Sequence, residues 1–241
     1  MPFRRPRDRQ ELLILLSAIF VLASIWVVAG LAHEVLEGDT RQFDEWVLSS
    51  LRKRGDAAVP IGPWWLRRGA EDITSLGSLT VLALTVFAVT GHLFLHGLYR
   101  TGLFIFAASA GGWLLTVALK AVFDRTRPDV VPHLHLVTTS SFPSGHALTS
   151  AAVYLTLGTL LMRLAEGRLA KYYCIAIAML VTFVVGASRV FLGVHYPTDV
   201  LAGWLIGMTW AILCWMVERM IERRTGLRRE QQTHGAGDSA V

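Results

Sequence analysis

Three short clusters in the second half of the chain carry the side chain types that bind and transfer phosphate. They are Lys120 with Arg127-Pro128, then Pro143-Ser144-Gly145-His146, then Ser188-Arg189 followed by His195 and Asp199. The three cations suit a phosphoryl group, because arginine offers paired hydrogen-bond donors and lysine a compact charge. The clusters therefore predict a phosphate-handling site.

The middle cluster opens an apolar run directly after Pro143. The start of a helix exposes unpaired N–H groups and partial positive charge, which together bind anions. Gly145 would let a phosphate approach the backbone closely. A simpler interpretation is that Ser144 only caps the helix, although capping is compatible with binding. His146, one position inside, has no capping role to explain it.

The last cluster places a histidine just before a helix. Pro197 suits the first helical position, and the residue before a proline is biased toward extended geometry. We therefore expect His195 on an extended segment at the membrane surface, with Asp199 in the first helical turn folding back toward it. A carboxylate on one ring nitrogen fixes the tautomer and leaves the other nitrogen nucleophilic. Alternatively, Asp199 only complements the helix dipole.

The residues of the three clusters lie at the ends of predicted membrane helices. The 241 residues are 53% hydrophobic and 17% charged, against roughly 25% charged in a soluble domain. Apolar runs of membrane-spanning length lie at 12–32, 79–98, 102–122, 144–163, 172–190 and 198–218. We predict an all-α, polytopic membrane protein of six transmembrane helices in a single domain, 1–224. The polar tail 225–241 is predicted to be disordered.

The orientation of the helices follows from the basic residues, which tend to stay on the cytoplasmic side. They lie before the first span, after the last, and around the loop between the fourth and fifth: Arg4, Arg5, Arg7, Arg9; Arg219, Arg223, Arg224, Arg228, Arg229; Arg163, Arg168, Lys171. Six spans place both termini in the cytoplasm and all three clusters at the outer face. We expect the membrane to be a bacterial cytoplasmic membrane. The first span is expected to be a retained anchor rather than a signal peptide.

The net charge of +5 is explained by this topology, so nucleic-acid binding is not expected.

The segment 33–78, which this topology places outside the membrane, contains an amphipathic pattern. Apolar residues at helical spacing face polar ones: Phe43, Trp46, Val47 and Leu51 against Asp44, Glu45, Ser49 and Arg52. This pattern predicts an extracytoplasmic amphipathic helix lying on the membrane between the first and second spans. The pair Trp64-Trp65 suits the headgroup layer.

The three clusters together resemble the signature of the type 2 phosphatidic acid phosphatase (PAP2) family of integral membrane lipid phosphatases. The signature stands here as Lys120, six residues, Arg127-Pro128; Pro143-Ser144-Gly145-His146; and Ser188-Arg189, five residues, His195, three residues, Asp199. No signature position departs from the pattern. The motifs cover 120–199, and the six-helix layout extends the resemblance over most of the chain.

The resemblance implies a two-step covalent reaction. His195 attacks phosphorus and becomes a phosphohistidine, Asp199 orients His195, and His146 protonates the departing lipid oxygen. The phosphoryl oxygens are held by Lys120, Arg127, Ser144, Gly145 and Arg189. Water then releases phosphate. Since His195 must be unprotonated while His146 carries a proton, a bell-shaped pH dependence is expected.

No metal or other cofactor is expected at this site. The carboxylates near it are too few for a two-metal centre: Asp124, Asp129 and Asp199. Two histidine pairs have spacings seen at metal sites, His133 with His135 and His92 with His96. Neither has a third ligand nearby in sequence, which favours structural or surface roles, with headgroup contact left open for the first pair.

Several alternatives remain open at the level of sequence. An acyl hydrolase would use Ser144, His146 and a carboxylate, a transporter or flippase would use the charged cluster only for binding, and a phosphotransferase would replace water with a lipid hydroxyl. Candidate substrates are phosphatidic acid, phosphatidylglycerol phosphate, polyprenyl diphosphates and lipid A phosphates. We expect undecaprenyl diphosphate or a glycerophospholipid phosphate. The expected partners are the lipid substrate and membrane lipids, without an obligate protein partner.

Overall fold

The computed structural model describes residues 6–132, 134 and 140–238, with side chains described for 11–132, 134 and 140–222. The described part of the chain folds as eight helices and a two-stranded sheet: α1 (Pro6–Glu37), α2 (Arg41–Ser50), β1 (Arg52–Lys53), β2 (Asp56–Pro60), α3 (Trp64–Ser75), α4 (Leu79–Leu95), α5 (Tyr99–Val122), α6 (Gly145–Leu164), α7 (Arg168–Phe191) and α8 (Pro197–Asp238). The pair His133 and His135 lies outside the described residues, as do the side chains of the predicted tail.

Five of these helices are long and apolar enough to cross a membrane: α1 from Glu11, α5, α6, α7, and α8 as far as Glu222. Helix α4 has 17 residues and reaches spanning length only together with α3, from which it is bent by 49°. The predicted helical membrane architecture is therefore confirmed. The sixth span stays a prediction, as does the disordered tail.

Helix α6 lies at the centre and packs against α7, α8 and α5, while α1 packs against α8. Glycines bring α6 and α8 close together: a Cβ on Gly203 would lie 2.7 Å from the carbonyl oxygen of Ser144. One turn further along α8, a Cβ on Gly207 would likewise meet the carbonyl oxygen of Leu148. Small residues permit this approach. The start of α8 is thereby held against the start of α6.

The outer segment differs from its predicted pattern in one respect. Helix α2 forms where expected, but Asp44 is fully buried and Arg52 is 5% exposed, whereas Phe43 and Trp46 are exposed. The sequence pattern placed Asp44 and Arg52 on the polar face of the helix, but the structure buries both side chains, because each finds partners in the protein. Whether the exposed aromatic rings meet the membrane stays a prediction.

The remaining outer elements connect α2 to the membrane helices. Strands β1 and β2 pair antiparallel, with Arg52 opposite Pro60 and Lys53 opposite Asp56. Helix α3 follows and packs along α7. The sequence pattern did not predict α3, which lies beside the ends of the helices that carry the clusters.

Candidate active site

All three clusters meet where α5 and α7 end and α6 and α8 begin. The segment between α7 and α8 is a compact turn rather than the extended stretch expected, with Gly193 at a positive φ of 74°. Arg52 supports this turn by donating to the Phe191 carbonyl at 3.1 Å. His195 is 1% exposed, so the ring is inside the protein, and its position at the membrane surface stays a prediction. The turn folds the ring inward.

The two ring nitrogens of His195 have different neighbours. Nδ1 lies 3.4 Å from Oδ2 of Asp199, and Nε2 lies 3.2 Å from Nη1 of Arg127. A guanidinium can only donate, so Nε2 is the acceptor and Nδ1 carries the hydrogen. Arg127 is itself fixed by donating to the Val194 carbonyl at 2.6 Å. This tautomer leaves Nε2 with the lone pair that a nucleophile needs.

Burial also keeps His195 uncharged. Removal from water is the largest cause lowering the pKa of His195, to about 3, and the positive charges of Arg127 and Arg189 lower it further while Asp199 opposes the change. Desolvation disfavours the charged imidazolium, and nearby cations act in the same direction. The ring is therefore neutral throughout the physiological range.

Asp199 is held by several donors from the surrounding loops. Its Oδ1 accepts from Arg125 at 2.5 Å, and its Oδ2 accepts from the Tyr196 N–H at 2.9 Å and from the Ser141 hydroxyl. Its backbone carbonyl accepts from the Ser144 N–H at 2.9 Å. These contacts go beyond an interaction with the helix dipole, and they tie the second and third clusters together.

Lys120 completes the set of cations. Its Nζ donates to the Ser140 carbonyl at 2.8 Å, and its charge interacts with those of Arg127, Arg189 and Asp199. A Cβ on Gly145 would lie 3.3 Å from Cε of Lys120. The first cluster therefore lies directly against the start of α6.

Three buried polar atoms of the site have no hydrogen-bond partner among the residues described: Oγ of Ser144, Nε of Arg189 and Nδ1 of His195. The last of these lies 3.4 Å from Oδ2 of Asp199. Ser144 occupies the N-cap position of α6 but makes no side-chain cap bond, so capping does not explain it. Among the residues described, no base is hydrogen-bonded to its hydroxyl, as a serine nucleophile would require. Buried polar groups are normally satisfied, and a bound phosphoryl group would satisfy the Ser144 hydroxyl and Nε of Arg189.

Helix α3 and the turn after it contact two further site residues. Thr74 accepts from Nη1 of Arg189 at 3.0 Å, and Arg189 is 1% exposed. Gly77 lies against His146, since a Cβ there would be 3.2 Å from Cδ2 of the ring. The outer segment thus helps to position a cation and a histidine of the site.

Sequence reasoning missed several residues that support the site: Asp44, Thr74, Arg125, Ser141 and Thr198. The signal for Arg125 was available, since it is a second arginine in the same connecting loop as Arg127. Asp44 had no such signal, because its partners come from remote parts of the chain. Within the described ranges, no three His, Cys, Asp or Glu side chains are grouped as metal ligands would be.

Comparison with known proteins identifies relatives of the whole arrangement. A profile of the PAP2 superfamily matches residues 100–223. Phosphatidylglycerophosphatase B of Bacillus subtilis (strain 168) is 34% identical over 156 residues, which cover 63% of this chain and 75% of that protein. An undecaprenyl-diphosphatase of Sulfolobus acidocaldarius is 37% identical over 81 residues, covering 34% of this chain and 35% of that protein.

A solved structure shares the fold. The first transmembrane PAP2 type phosphatidylglycerolphosphate phosphatase from Bacillus subtilis superposes with a TM-score of 0.75 at 28% sequence identity. The match covers 83% of this chain and 96% of that one.

Proposed function

The chain belongs to the PAP2 superfamily and is a phosphoric ester hydrolase, and from this premise we propose that it hydrolyses a membrane lipid phosphate through a phosphohistidine at His195. The observation that carries the proposal is the ring of His195, buried with Nε2 facing Arg127 and Nδ1 facing Asp199. A neutral imidazole in this tautomer is ready to attack phosphorus.

In the first step, the Nε2 lone pair of His195 forms a bond to phosphorus. The bond between phosphorus and the lipid oxygen breaks, and that oxygen takes a proton from His146. Arg127 donates to Nε2, so in this proposal its guanidinium turns to a phosphoryl oxygen as the substrate binds. This exchange exposes the nucleophile only when a phosphate is present.

In the second step, water attacks the phosphohistidine. His146, now deprotonated, takes a proton from the water, the bond between phosphorus and Nε2 breaks, and inorganic phosphate leaves. Asp199 stabilises the positive charge that the His195 ring carries in the intermediate. Splitting the displacement through a nucleophile lowers each barrier, provided that the donors are already in place.

The phosphoryl oxygens are held by fixed donors in this proposal. Lys120, Arg127 and Arg189 supply positive charge, the Ser144 hydroxyl supplies a donor, and the backbone at Gly145 contributes the start of a helix. The unpartnered Ser144 Oγ and Arg189 Nε support this role. Preorganised donors of this kind stabilise the charge that develops on the transferring group.

We place the site at the outer face of a bacterial cytoplasmic membrane, with both termini in the cytoplasm. The placement takes α3 and α4 together as the sixth span. It is supported by the basic residues at the opposite helix ends and by the exposed rings of Trp64 and Trp65 at the start of α3. A lipid headgroup then reaches the cations without leaving the interface.

For the substrate we propose a glycerophospholipid phosphate of the phosphatidylglycerol phosphate type, with undecaprenyl diphosphate second. The first choice is supported by similarity to a phosphatidylglycerophosphatase over 75% of that protein. The second is supported by a match to an undecaprenyl-diphosphatase over a shorter stretch, 35% of that protein. Both lipids present a phosphoryl group at the same depth.

The experiment is a comparison of purified protein on four lipids: phosphatidylglycerol phosphate, phosphatidic acid, undecaprenyl diphosphate and lipid A. Release of inorganic phosphate is measured for wild type, His195→Ala, and His92→Ala as a control on an exposed histidine of α4. We expect phosphate release that His195→Ala abolishes and His92→Ala preserves, with the highest kcat/KM on phosphatidylglycerol phosphate.

Other outcomes of this experiment would replace the proposal. Release of fatty acid would indicate an acyl hydrolase. Lipid movement across vesicles that survives His195→Ala would indicate a transporter. Transfer of label to an added lipid alcohol instead of water would indicate a phosphotransferase.

A further inference from the structure

Arg125 lies two residues before Arg127 but has different contacts. Its Nη1 donates to Oδ1 of Asp199 at 2.5 Å and to the Thr198 hydroxyl at 3.0 Å. Its Nη2 donates to Oδ2 of Asp44 at 2.8 Å and to the Thr40 hydroxyl at 3.4 Å. The four Nη hydrogens are thus matched by four acceptors. Arg125 bridges two carboxylates that are both fully buried.

Asp44 reaches this bridge from helix α2, far away in sequence. It accepts from the Thr198 N–H at 3.1 Å and from the Thr198 hydroxyl at 2.7 Å. Thr198 directly precedes Asp199 in the first turn of α8. Asp44 is therefore attached both to Arg125 and to the backbone that carries Asp199.

The charges explain why Arg125 is needed at this position. A buried carboxylate is costly unless it is paired and hydrogen-bonded, and Arg125 compensates Asp44 and Asp199 together. Its planar group suits such a bridge, because the donors form a rigid fork. The ring of Tyr196 covers the guanidinium at 4.2 Å. The donors of Arg125 are engaged by the protein, so it is poorly placed to bind phosphate.

We infer that Arg125, anchored by Asp44, is a positioning residue that holds the Asp199 carboxylate against Nδ1 of His195. The inference rests on the proposed function, in which His195 is the nucleophile. Asp199 lies 3.4 Å from Nδ1, and a rotation of its carboxylate would remove the acceptor that stabilises the charged ring of the intermediate. Helix α2 thereby becomes part of the support of the active site.

The test compares Arg125→Gln, Arg125→Lys and Asp44→Asn with the wild type and with Arg41→Gln. The last variant is a matched control, because Arg41 is an exposed arginine of α2 paired with Glu45 at 2.6 Å. The readouts are kcat, KM, inhibition by vanadate and the rate of phosphohistidine formation, each per folded protein. Folding is monitored by gel filtration in detergent and thermal unfolding.

We expect Arg125→Gln to lower kcat and the rate of phosphohistidine formation by about 10–100-fold, as for partners that orient a functional histidine. KM and vanadate inhibition stay within about twofold, because Arg125 touches carboxylates rather than substrate. Arg125→Lys keeps the positive charge but loses the paired guanidinium donors, so its kcat should lie between those of Arg125→Gln and the wild type. Asp44→Asn gives a smaller loss, and its effect is not additive with Arg125→Gln. Arg41→Gln behaves as wild type.

Two results would overturn the inference. Unchanged kcat in Arg125→Gln would show that Asp199 needs no such support, and a raised KM with unchanged kcat would show that Arg125 binds the substrate. If Arg125→Gln does not fold, Arg125→Lys decides, since a wild-type kcat there would also overturn the inference. Failure of the proposed function is distinguishable, because wild type itself would then release no phosphate from any lipid of the panel.

Discussion

At the scale of the residue, the two ring nitrogens of His195 have different neighbours. Nε2 faces the Arg127 guanidinium, which can only donate, and Nδ1 faces the Asp199 carboxylate. These two neighbours select the tautomer, and burial keeps the ring neutral. The environment that suits His195 to the proposed role of nucleophile also makes its protonated form costly, which has a measurable consequence in the pH dependence.

We predict that the acid limb of kcat/KM lies well below pH 6.5. The nucleophile must be neutral, and the lowered pKa of His195 means that activity persists as the pH falls through 6.5, the ordinary histidine value. The measurement is kcat/KM against pH, corrected for the substrate's own ionisation at about pH 6. Arg127→Gln removes a positive charge beside His195, so it should move the acid limb of kcat/KM to higher pH. A limb at or above pH 6.5 in the wild type would contradict the assignment of His195.

Ser144 gives a prediction that separates activity from stability. Ser144→Ala should lower kcat/KM by about 10²-fold, the cost of removing one donor to a developing charge. The thermal unfolding temperature should not fall, because the buried hydroxyl has no hydrogen-bond partner in the described part of the chain. Ser109→Ala is the matched control, since this hydroxyl is also buried and unpartnered but lies within α5. Wild-type activity in Ser144→Ala would remove Ser144 from the site.

The sequence predicted the residues whose types and spacing carry chemistry, but not the residues that hold them. His195 and Asp199 are close along the chain, so their pairing follows from helix geometry. Asp44 and Arg125 meet across remote segments, and neither composition nor periodicity encodes that contact. The amphipathic pattern of α2 also favoured a solvated Asp44, because a sequence pattern does not show which partner a carboxylate will find.

At the scale of the element, the turn between α3 and α4 lies close to the site. A Cβ added at Gly77 would meet both Val185 and His146, and the Leu76 carbonyl accepts a hydrogen bond from the Tyr154 hydroxyl at 2.8 Å. Long apolar helices such as α5 and α7 were predictable from length and hydropathy. Helix α3 was not, because it is short and its sequence has no long apolar run.

We predict that Gly77→Ala lowers kcat by about 10-fold or more. A methyl group would meet the Val185 side chain and lie 3.2 Å from the His146 ring, so the turn or the ring must shift, and small displacements of catalytic groups are costly. Gly91→Ala in α4 is the control, since its Cβ would meet nothing within 4 Å. Both variants are assayed for kcat and for thermal unfolding. Equal kcat in the two would show that the turn does not position His146.

At the scale of the whole molecule, antiparallel helices bring two helix starts and two helix ends to one side. The clusters at 120–127, 143–146 and 188–199 therefore share one end of the helix bundle. The sequence predicted this convergence from the spacing of the apolar runs. The bent pair α3 and α4 could not be predicted, because the bend depends on packing against α7.

The proposed orientation predicts opposite labelling of two engineered cysteines. In a background with Cys174→Ala and Cys214→Ala, Ala57→Cys should react with an impermeant maleimide in intact cells. Glu166→Cys, in the loop between α6 and α7, should react only after the membrane is opened. Both positions are exposed. The reverse pattern would place the active site in the cytoplasm.

The most direct test of the central proposal is to trap the phosphorylated intermediate on purified protein. Substrate carrying a radioactive phosphoryl group is added, the reaction is quenched within milliseconds under alkaline conditions, and the label is mapped by mass spectrometry. We predict an acid-labile phosphoramidate on His195 that disappears on a chase with unlabelled substrate and is absent from His195→Ala. Label on another residue, or full turnover by His195→Ala, would contradict the account.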